Sequence, residues 1–550
     1  MKQTILREIE KAYAAAFPRQ EWEGQTTGVE ILIPKDEKFG DFSTNAAMIL
    51  ASKLKSNPRA IAEKIKTELE KSESFSSVAV AGPGFINMTI KPSMWIEKLG
   101  GILEQKDKFG KSDAGKGVKA LVEFVSANPT GPLHIGHGRG AAVGDCLARI
   151  LKMAGYDVST EYYINDVGLQ MENLGRSTLN RVKEIMGRAF DEPAYKGEYI
   201  KDIARSLIEA EGEDILDLPE DEALKKARKF TERMMIETIK KDLDDFRVSF
   251  DNWFSEETLH KNGDVTNTIE RLIKEGHIYE KDGALWLKTE SAGDEKDRVV
   301  KRADGRVTYL AADIAYHKNK LKRGFDLLID IWGADHHGYI PRMKAMIAAL
   351  GANPDRLVPR LVQMVNLKRG GKVVAMTTRG GVFTTLREIV DEVGVDATRY
   401  FFLMRSADSH LDFDVDLAKT EGDENPVYYI QYAHARCCNI FVNARTKEIK
   451  PLSFNDIDKS LLEQKDELRL IRKLLEFPDI IKSCALSYQP HPVAQYLSEV
   501  AAMFHYFYSH NRVVTDDIGL TQARLLLVES SMTVLKNGLT VLGVTAPKRM

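Results

Sequence analysis

Two histidines three residues apart, His134 and His137, end the segment Ser126-Ala-Asn-Pro-Thr-Gly-Pro-Leu-His-Ile-Gly-His137. The apolar, valine-rich run 118–125 before it has the length of a strand. After the Pro/Gly turn at 128–132, Val143, Leu147, Ile150, Leu151 and Ala154 recur at helical spacing, until Gly155 supplies a C-terminal cap. Ligands of open parallel sheets bind beyond the carboxyl ends of strands, near helix N-termini. Both imidazoles are therefore expected on one face of a helix start. There phosphate oxygens would meet free backbone N–H groups and the positive end of the helix dipole. Gly136 and Gly138 are expected to leave room for a nucleotide. Two imidazole donors in an anion site suit phosphoryl chemistry, in which positioning and charge stabilisation do most of the work. Taken alone, a pair at this spacing is more simply two unliganded helix-start histidines.

Two further segments carry chemistry. Trp332-Gly-Ala-Asp-His-His-Gly338 follows an apolar strand, so Gly333 would admit an adenosine and Asp335 would accept from ribose hydroxyls. Consecutive Asp335, His336 and His337 splay apart and make a poor metal chelate, and no metal site is expected. Tyr309-Leu-Ala-Ala-Asp313 puts Tyr309 and Asp313 on one face if helical, although a surface Asp313 paired with His317 or Lys320 is the plain alternative.

The elements that must position these residues follow from the pattern. A strand at 118–125, a helix and a strand at 157–164 form a βαβ unit with a parallel sheet. Polar, helix-rich sequence at 168–295 reads as an insertion, and the alternation returns with a strand at 325–331 and a helix at 339–350. Residues 1–90 read as a separate α/β unit with helices near 3–16 and 43–71 and extended runs at 29–33 and 78–81. Amphipathic runs at 426–446, 459–485, 491–512 and 520–540 read as a helical bundle. With 550 residues, 43% hydrophobic and 29% charged, the chain suits several folded domains. A net charge of -3 argues against indiscriminate nucleic-acid binding, and the basic run Lys225, Lys226, Arg228 and Lys229 is most simply a solvated helix face. Four cysteines without a C-x-x-C pair read as reduced thiols. No export signal and no stretch of roughly 18 to 20 apolar residues is read in the sequence, so a cytoplasmic protein without a membrane partner is expected.

Pro-x-Gly-Pro-Leu-His134-Ile-Gly-His137 resembles the HIGH motif of class I aminoacyl-tRNA synthetases. Glu123-Phe-Val-Ser-Ala-Asn128 and Tyr309-Leu-Ala-Ala-Asp313 resemble the arginyl members in particular. The resemblance implies ATP and Mg2+ as cofactors, L-arginine and tRNA-Arg as partners, and a monomer. It implies an α/β fold: a Rossmann-type parallel-sheet catalytic domain at 106–385 with its insertion at 168–295, an α/β N-terminal domain at 1–105, a connecting segment at 386–424 and an all-α C-terminal bundle at 425–550. His134 and His137 would hold the ATP phosphates. Glu123, Ser126, Asn128, Tyr309, Asp313 and His337 would meet arginine, whose planar guanidinium matches carboxylates and amide oxygens. Gly136, Gly333, Asp335, His336 and Met376 would line the nucleotide.

The mobile loop of the class, Lys-Met-Ser-Lys-Ser, corresponds to Ala375-Met-Thr-Thr-Arg379, which lacks both lysines. Lys372, Lys368 or Arg379 is then expected to neutralise pyrophosphate. Glu424–Arg436 resembles the start of the family's anticodon-binding bundle, with Tyr428, Tyr432, His434 and Arg436 as RNA contacts. Phe39-Gly-Asp-Phe-Ser-Thr44 and Ala81-Gly-Pro-Gly-Phe-Ile86 resemble its N-terminal domain. A non-catalytic RNA-binding paralogue and another synthetase of the class are the rival readings.

Overall fold

The computed structural model describes residues 1–18, 28–34, 36–374 and 384–550. It divides into two units, one of residues 1–106, 440–475 and 503–531, the other of 107–439, 476–502 and 532–550.

In the first unit, β1 (Ile31–Leu32), β2 (Phe42–Thr44), β3 (Phe75–Ala81) and β4 (Phe85–Ile90) form an antiparallel sheet in the order β1-β2-β4-β3. The single helix expected over 43–71 is two, Ala46–Leu54 and Pro58–Leu69. Pro58 cannot continue a helix but opens one well, and the Asn57 side chain caps it by accepting from Arg59 N and Ala60 N. Gly40, at φ +84°, lets the chain pass where a Cβ would lie 2.7 Å from the Met88 carbonyl oxygen. The next residue, Asp41, accepts from Ile90 N at 2.8 Å and pairs with Arg472 at 2.6 Å.

The second unit is built on β5 (Lys119–Glu123), β6 (Asp157–Ile164), β7 (Asn252–Ser255), β11 (Leu327–Gly333) and β12 (Leu357–Val362). All pairs are parallel, in the order β12-β11-β5-β6-β7. β5 is central and its Ala120, Leu121 and Val122 are buried, as a strand covered on both faces requires. Strand order reverses at β5, so the crevice between the ends of β5 and β11 is the switch point where such sheets bind ligands.

The expected insertion at 168–295 is corrected by this topology. Helices Leu169–Ile185, Glu198–Glu211 and Glu220–Asp245 lead to β7, which belongs to the main sheet as its edge. Four half-buried residues, Asn252–Ser255, were too short and mixed to announce a strand. A small antiparallel sheet of β8 (Ile278–Lys281), β9 (Ala284–Leu287) and β10 (Arg298–Lys301) then intervenes, in the order β10-β9-β8. Beyond β12, β13 (Val365–Arg369), β14 (Lys372–Val374) and β15 (Leu411–Asp414) form a third sheet of this unit.

The helical C-terminal region holds Pro426–Thr446, Lys465–Leu475, Phe477–Ser487, His491–His510 and Ile518–Leu542. The run expected at 459–485 is broken where Pro478 opens a new helix. Ile518–Leu542 is long and apolar enough to cross a membrane, but 72% of its most apolar window is buried within the protein, which makes it a core helix. The fully buried Arg399 donates to the carbonyls of Leu542 and Phe246 at 3.0 and 3.1 Å and pairs with Asp145 on helix Ile135–Met153.

Candidate active site

β5 ends on Glu123, and the two residues that follow Phe124 leave the ordinary backbone region. Val125 and Ser126 have φ of 66° and 39°, a costly state for a β-branched residue. That turn aims the Ser126 hydroxyl back at the strand. It donates to Glu123 Oε1 at 3.0 Å and accepts from Tyr163 N at 3.1 Å.

The helix Ile135–Met153 begins at His134, and the two histidines cap it reciprocally. His134 Nδ1 accepts from Gly136 N and His137 N at 3.1 and 3.2 Å, and His137 Nδ1 accepts from His134 N at 3.3 Å. A nitrogen that accepts carries no proton, so in both neutral rings the N–H is Nε2. The rings stack with centroids 3.6 Å apart and 16° between planes. Burial holds both below the ordinary histidine range, His137 down to about 3, where the neighbouring His134 adds to the effect.

Two expectations change here. The first-turn N–H groups are not free for phosphate: Gly136 and His137 give theirs to His134, and Ile135 N donates to Thr384 O at 3.2 Å. An anion at this helix start would have to be met by side chains rather than by these backbone groups. Gly138 is not a gap for a nucleotide either. A Cβ there would lie 2.6 Å from Leu386 Cδ1, so this glycine admits the helix Leu386–Val393. At Gly136 a Cβ would press on the His134 ring at 3.0 Å.

Parallel register lines up side chains across the sheet. Asp330, Glu123, Glu161 and Asn252 are consecutive partners on β11, β5, β6 and β7. Three carboxylates thus stand in one row, an arrangement that burial makes costly without counter-charge. Helix Tyr309–Lys322 and the residue after it supply that charge. Lys320 Nζ bonds Glu123 and, at 2.9 Å, Asp330, while Arg323 grips Glu161 with two nitrogens. Tyr316 donates to Glu161 at 2.6 Å, and Asn252 Nδ2 does the same. His317 bridges Asp330 Oδ2 and the Asp313 carbonyl at 3.0 and 2.9 Å.

Asp313 sits one turn before His317 on this stripe and pairs with neither His317 nor Lys320 through its carboxylate. Burial, with Glu256 and Glu123 nearby, pushes it up to about 7. Burial also pushes Glu123 upward against the pull of Lys320, and Glu256 upward beside His260 and Tyr163. Asp330, held by Lys320 and His317, is drawn well below the carboxylate range despite its burial. Glu256, Tyr163, Lys320 and Asp330 were missed by sequence reasoning. Only strand register, which a single sequence does not display, brings them together.

Tyr309 opens the helix Tyr309–Lys322 and is 59% exposed. Asn128 Nδ2 donates to Gln170 Oε1 at 2.8 Å. Gly333 ends β11, and Asp335, His336 and His337 follow in a short exposed turn. A Cβ on Gly333 would meet Asp335 Oδ1 at 2.5 Å. Lys372 is exposed on β14 and makes no ion pair among the described residues, whereas Lys368 is held by Asp412 at 2.6 Å. Met376 and Arg379 lie outside the described residues. Farther along the chain, Tyr428 stacks on Tyr432, and Arg436 lies 4.4 Å over the Tyr432 ring. His434 does not join them: it is 4% exposed and its Nδ1 holds the Pro547 carbonyl at 2.8 Å. In the basic run, Arg228 turns inward to the Asp166 carbonyl at 2.8 Å.

A doubly capped histidine pair and an acidic crevice at the switch point of a parallel sheet coincide with a family model, tRNA synthetases class I (R), catalytic domain, over residues 98–402. The fold and site are those of a class I aminoacyl-tRNA synthetase. The arginyl tRNA synthetase N terminal domain model matches residues 1–90, and the DALR anticodon binding domain model matches 430–550. An arginine–tRNA ligase of Syntrophotalea carbinolica is 50% identical over the full length of both chains. Another, from Geobacter sp. strain M21, is 48% identical over 100% of this chain and 99% of its own. Thermus thermophilus arginyl-tRNA synthetase has the same fold, with a TM-score of 0.74 at 23% identity over 99% of this chain and 100% of that one. The chain belongs to the arginyl-tRNA synthetase family.

The capping geometry makes a spectroscopic prediction. A histidine held near 3 stays neutral in the folded state, while the unfolded chain protonates near 6.5. The His137 ring resonance, followed by NMR on histidine-labelled protein, is expected to stay at its neutral position from pH 8 to 5. Folding stability is expected to fall as pH drops below 6.5. A ring midpoint near 6.5 would remove the account.

Proposed function

We propose that this chain activates L-arginine with ATP and transfers it to tRNA-Arg. The observation that carries the reading is a charge imbalance. Glu123, Glu161, Asp313 and Asp330 face Lys320 and Arg323, Glu256 has His260 beside it, and even with His317 and His260 both protonated the carboxylates outnumber the cations. A guanidinium brings one permanent positive charge and five donors in a plane, which suits such a pocket.

In this reading Glu123 and Asp313 take the guanidinium, Tyr309 closes over it at the mouth, and Ser126, Asn128 and His337 border the substrate. The triphosphate lies across the Nε2–H groups of His134 and His137, with Gly136 keeping their rings in place. Gly333, Asp335 and His336 border the nucleoside. An arginine carboxylate oxygen attacks the α-phosphorus, the bond to the bridging oxygen breaks, and pyrophosphate leaves with that oxygen. A terminal ribose hydroxyl of tRNA then attacks the arginyl carbonyl and AMP departs. Neutral, preoriented donors suit this step because they stabilise developing charge without reorganising. Mg2+ bound to ATP would supply positive charge to share with the triphosphate. Tyr428, Tyr432 and Arg436 offer faces for unstacked bases. The working unit is one chain in the cytoplasm, where tRNA is charged.

Charging of bulk tRNA with each labelled amino acid in turn tests the assignment. Arginine alone is expected to be attached, and attachment of another amino acid, or of none, overturns it.

Asp313 makes the pocket pH-dependent. Its carboxyl is neutral below about 7, whereas guanidinium keeps its charge. The KM for arginine is therefore expected to rise roughly tenfold per pH unit as pH falls below 7. Asp313→Asn is expected to raise KM and abolish that slope. A KM flat from pH 6 to 8 in the unaltered protein contradicts the role.

Of the two described candidates, Lys368 is tied to Asp412, and Lys372, exposed and without an ion pair among the described residues, is the one taken to meet pyrophosphate. Lys372→Ala is expected to slow ATP–pyrophosphate exchange about tenfold, a loss of ~1.4 kcal/mol, with Lys368→Ala near the unaltered rate. The reverse order rejects Lys372.

A further inference from the structure

Lys320 is wholly enclosed, with a side chain 0% exposed, and it lies between two carboxylates that register places side by side. Of those two, Asp330 is 2% exposed and Glu123 is 11% exposed, so the edge of Glu123 alone reaches the crevice. Each Glu123 oxygen is held from behind, Oε1 by the Ser126 hydroxyl and Oε2 by the Lys320 ammonium. Lys320 itself is anchored from the far side by Asp330 at 2.9 Å and lies over the Tyr316 ring, 4.5 Å from its centre. Nothing in this arrangement lets the ammonium touch a ligand. It acts through Glu123.

We propose that Lys320 is the positioning residue for substrate charge: it fixes the Glu123 carboxylate as an oriented anion and so makes the pocket discriminate a guanidinium from its uncharged isosteres. The proposal rests on the assignment of arginine as substrate.

A carboxylate buried beside Asp330, Asp313 and Glu161 without a cation takes up a proton, because a buried like-charge cluster is costly. A protonated Glu123 has lost the charge that prefers guanidinium over a neutral ureido group of the same shape, as in citrulline. Orientation matters equally. With Lys320 and Ser126 on its inner side, Glu123 presents its remaining lone pairs outward, and a rigid acceptor discriminates better than a mobile one. Asp330 takes no part in binding. It keeps the ammonium from swinging wholly toward Glu123.

The test is ATP–pyrophosphate exchange in the presence of tRNA with the full-length chain, comparing Lys320→Gln and Lys320→Arg with the unaltered protein. Citrulline serves as competing ligand. Lys320→Gln is expected to raise KM for arginine more than tenfold while changing KM for ATP less than twofold. The ratio of the citrulline inhibition constant to the arginine KM is expected to fall at least tenfold, and Lys320→Arg to restore part of it. A structural defect alone lowers kcat or stability and leaves that ratio intact, so a ratio within twofold of the unaltered value overturns the proposal. Asp330→Asn supplies an arm that keeps Lys320. It leaves the ammonium to Glu123 alone, so discrimination is expected to hold or rise, and a tenfold fall contradicts the proposal even if Lys320→Gln does not fold. If the unaltered protein shows no arginine-dependent exchange, the substrate assignment fails before Lys320 is at issue.

Discussion

The constraint on which the second unit depends is a row of carboxylates that its own sheet creates. Parallel register leaves Asp330, Glu123 and Glu161 side by side on three central strands. Such a row is tolerable in a buried sheet only if cations are brought to it at fixed distance. Helix Tyr309–Lys322 satisfies this by placing Lys320, and Arg323 just beyond it, one turn apart over the row. Docking of that helix is thereby fixed along its length. Tyr309 and Asp313, on the same stripe, are carried to the crevice at the strand ends. An electrostatic requirement of the fold and the geometry of the pocket are one arrangement.

The phosphate side follows a different logic. Helix N-termini commonly bind anions through unpaired N–H groups, but here the two histidines have closed that terminus by capping it on each other. The cap determines which ring nitrogen holds the proton, and stacking holds the two rings parallel. Glycine at 136 avoids a Cβ that would sit 3.0 Å from the His134 ring. Residues 384–386 are stitched to 133–135 through Ile135 N to Thr384 O and Leu386 N to Leu133 O, at 3.2 and 2.7 Å. The chain that follows the altered loop is therefore tied to the start of the histidine helix.

Much of this was legible in the sequence where the signal is local. The strand Asp157–Ile164 and the helix Pro426–Thr446 fall where hydrophobic runs and turn residues put them, and His134 and His137 stand out through their neighbours. What stayed hidden depends on contacts distant in sequence. β7 is four residues joined to β6 from about ninety positions away. The row of carboxylates exists only once strand order and register are known. Lys320 entered the sequence reading only as a partner for a surface Asp313, because a charged side chain on a helix is usually exposed. His434 read as an RNA contact, yet the chain end at Pro547 folds over it. Gly138 read as space for a ligand, yet Leu386 fills that space.

These two halves of the site divide charge oppositely, and the reaction explains why. On the proposed phosphate side the donors are neutral, which suits a triphosphate whose charge Mg2+ would share. On the other side carboxylates outnumber the cations beside them, and burial raises Glu123, Glu256 and Asp313. That excess destabilises the empty pocket, because each uncompensated buried carboxylate must take up a proton or stay solvated. A guanidinium cannot release its proton, so it completes the set of counter-ions where a neutral side chain would leave the deficit standing. Lysine would bring a charge but not the planar fork that two carboxylates on different elements require. In the proposed pocket, selectivity for arginine would derive from what the folded protein leaves unbalanced as much as from the contacts it offers.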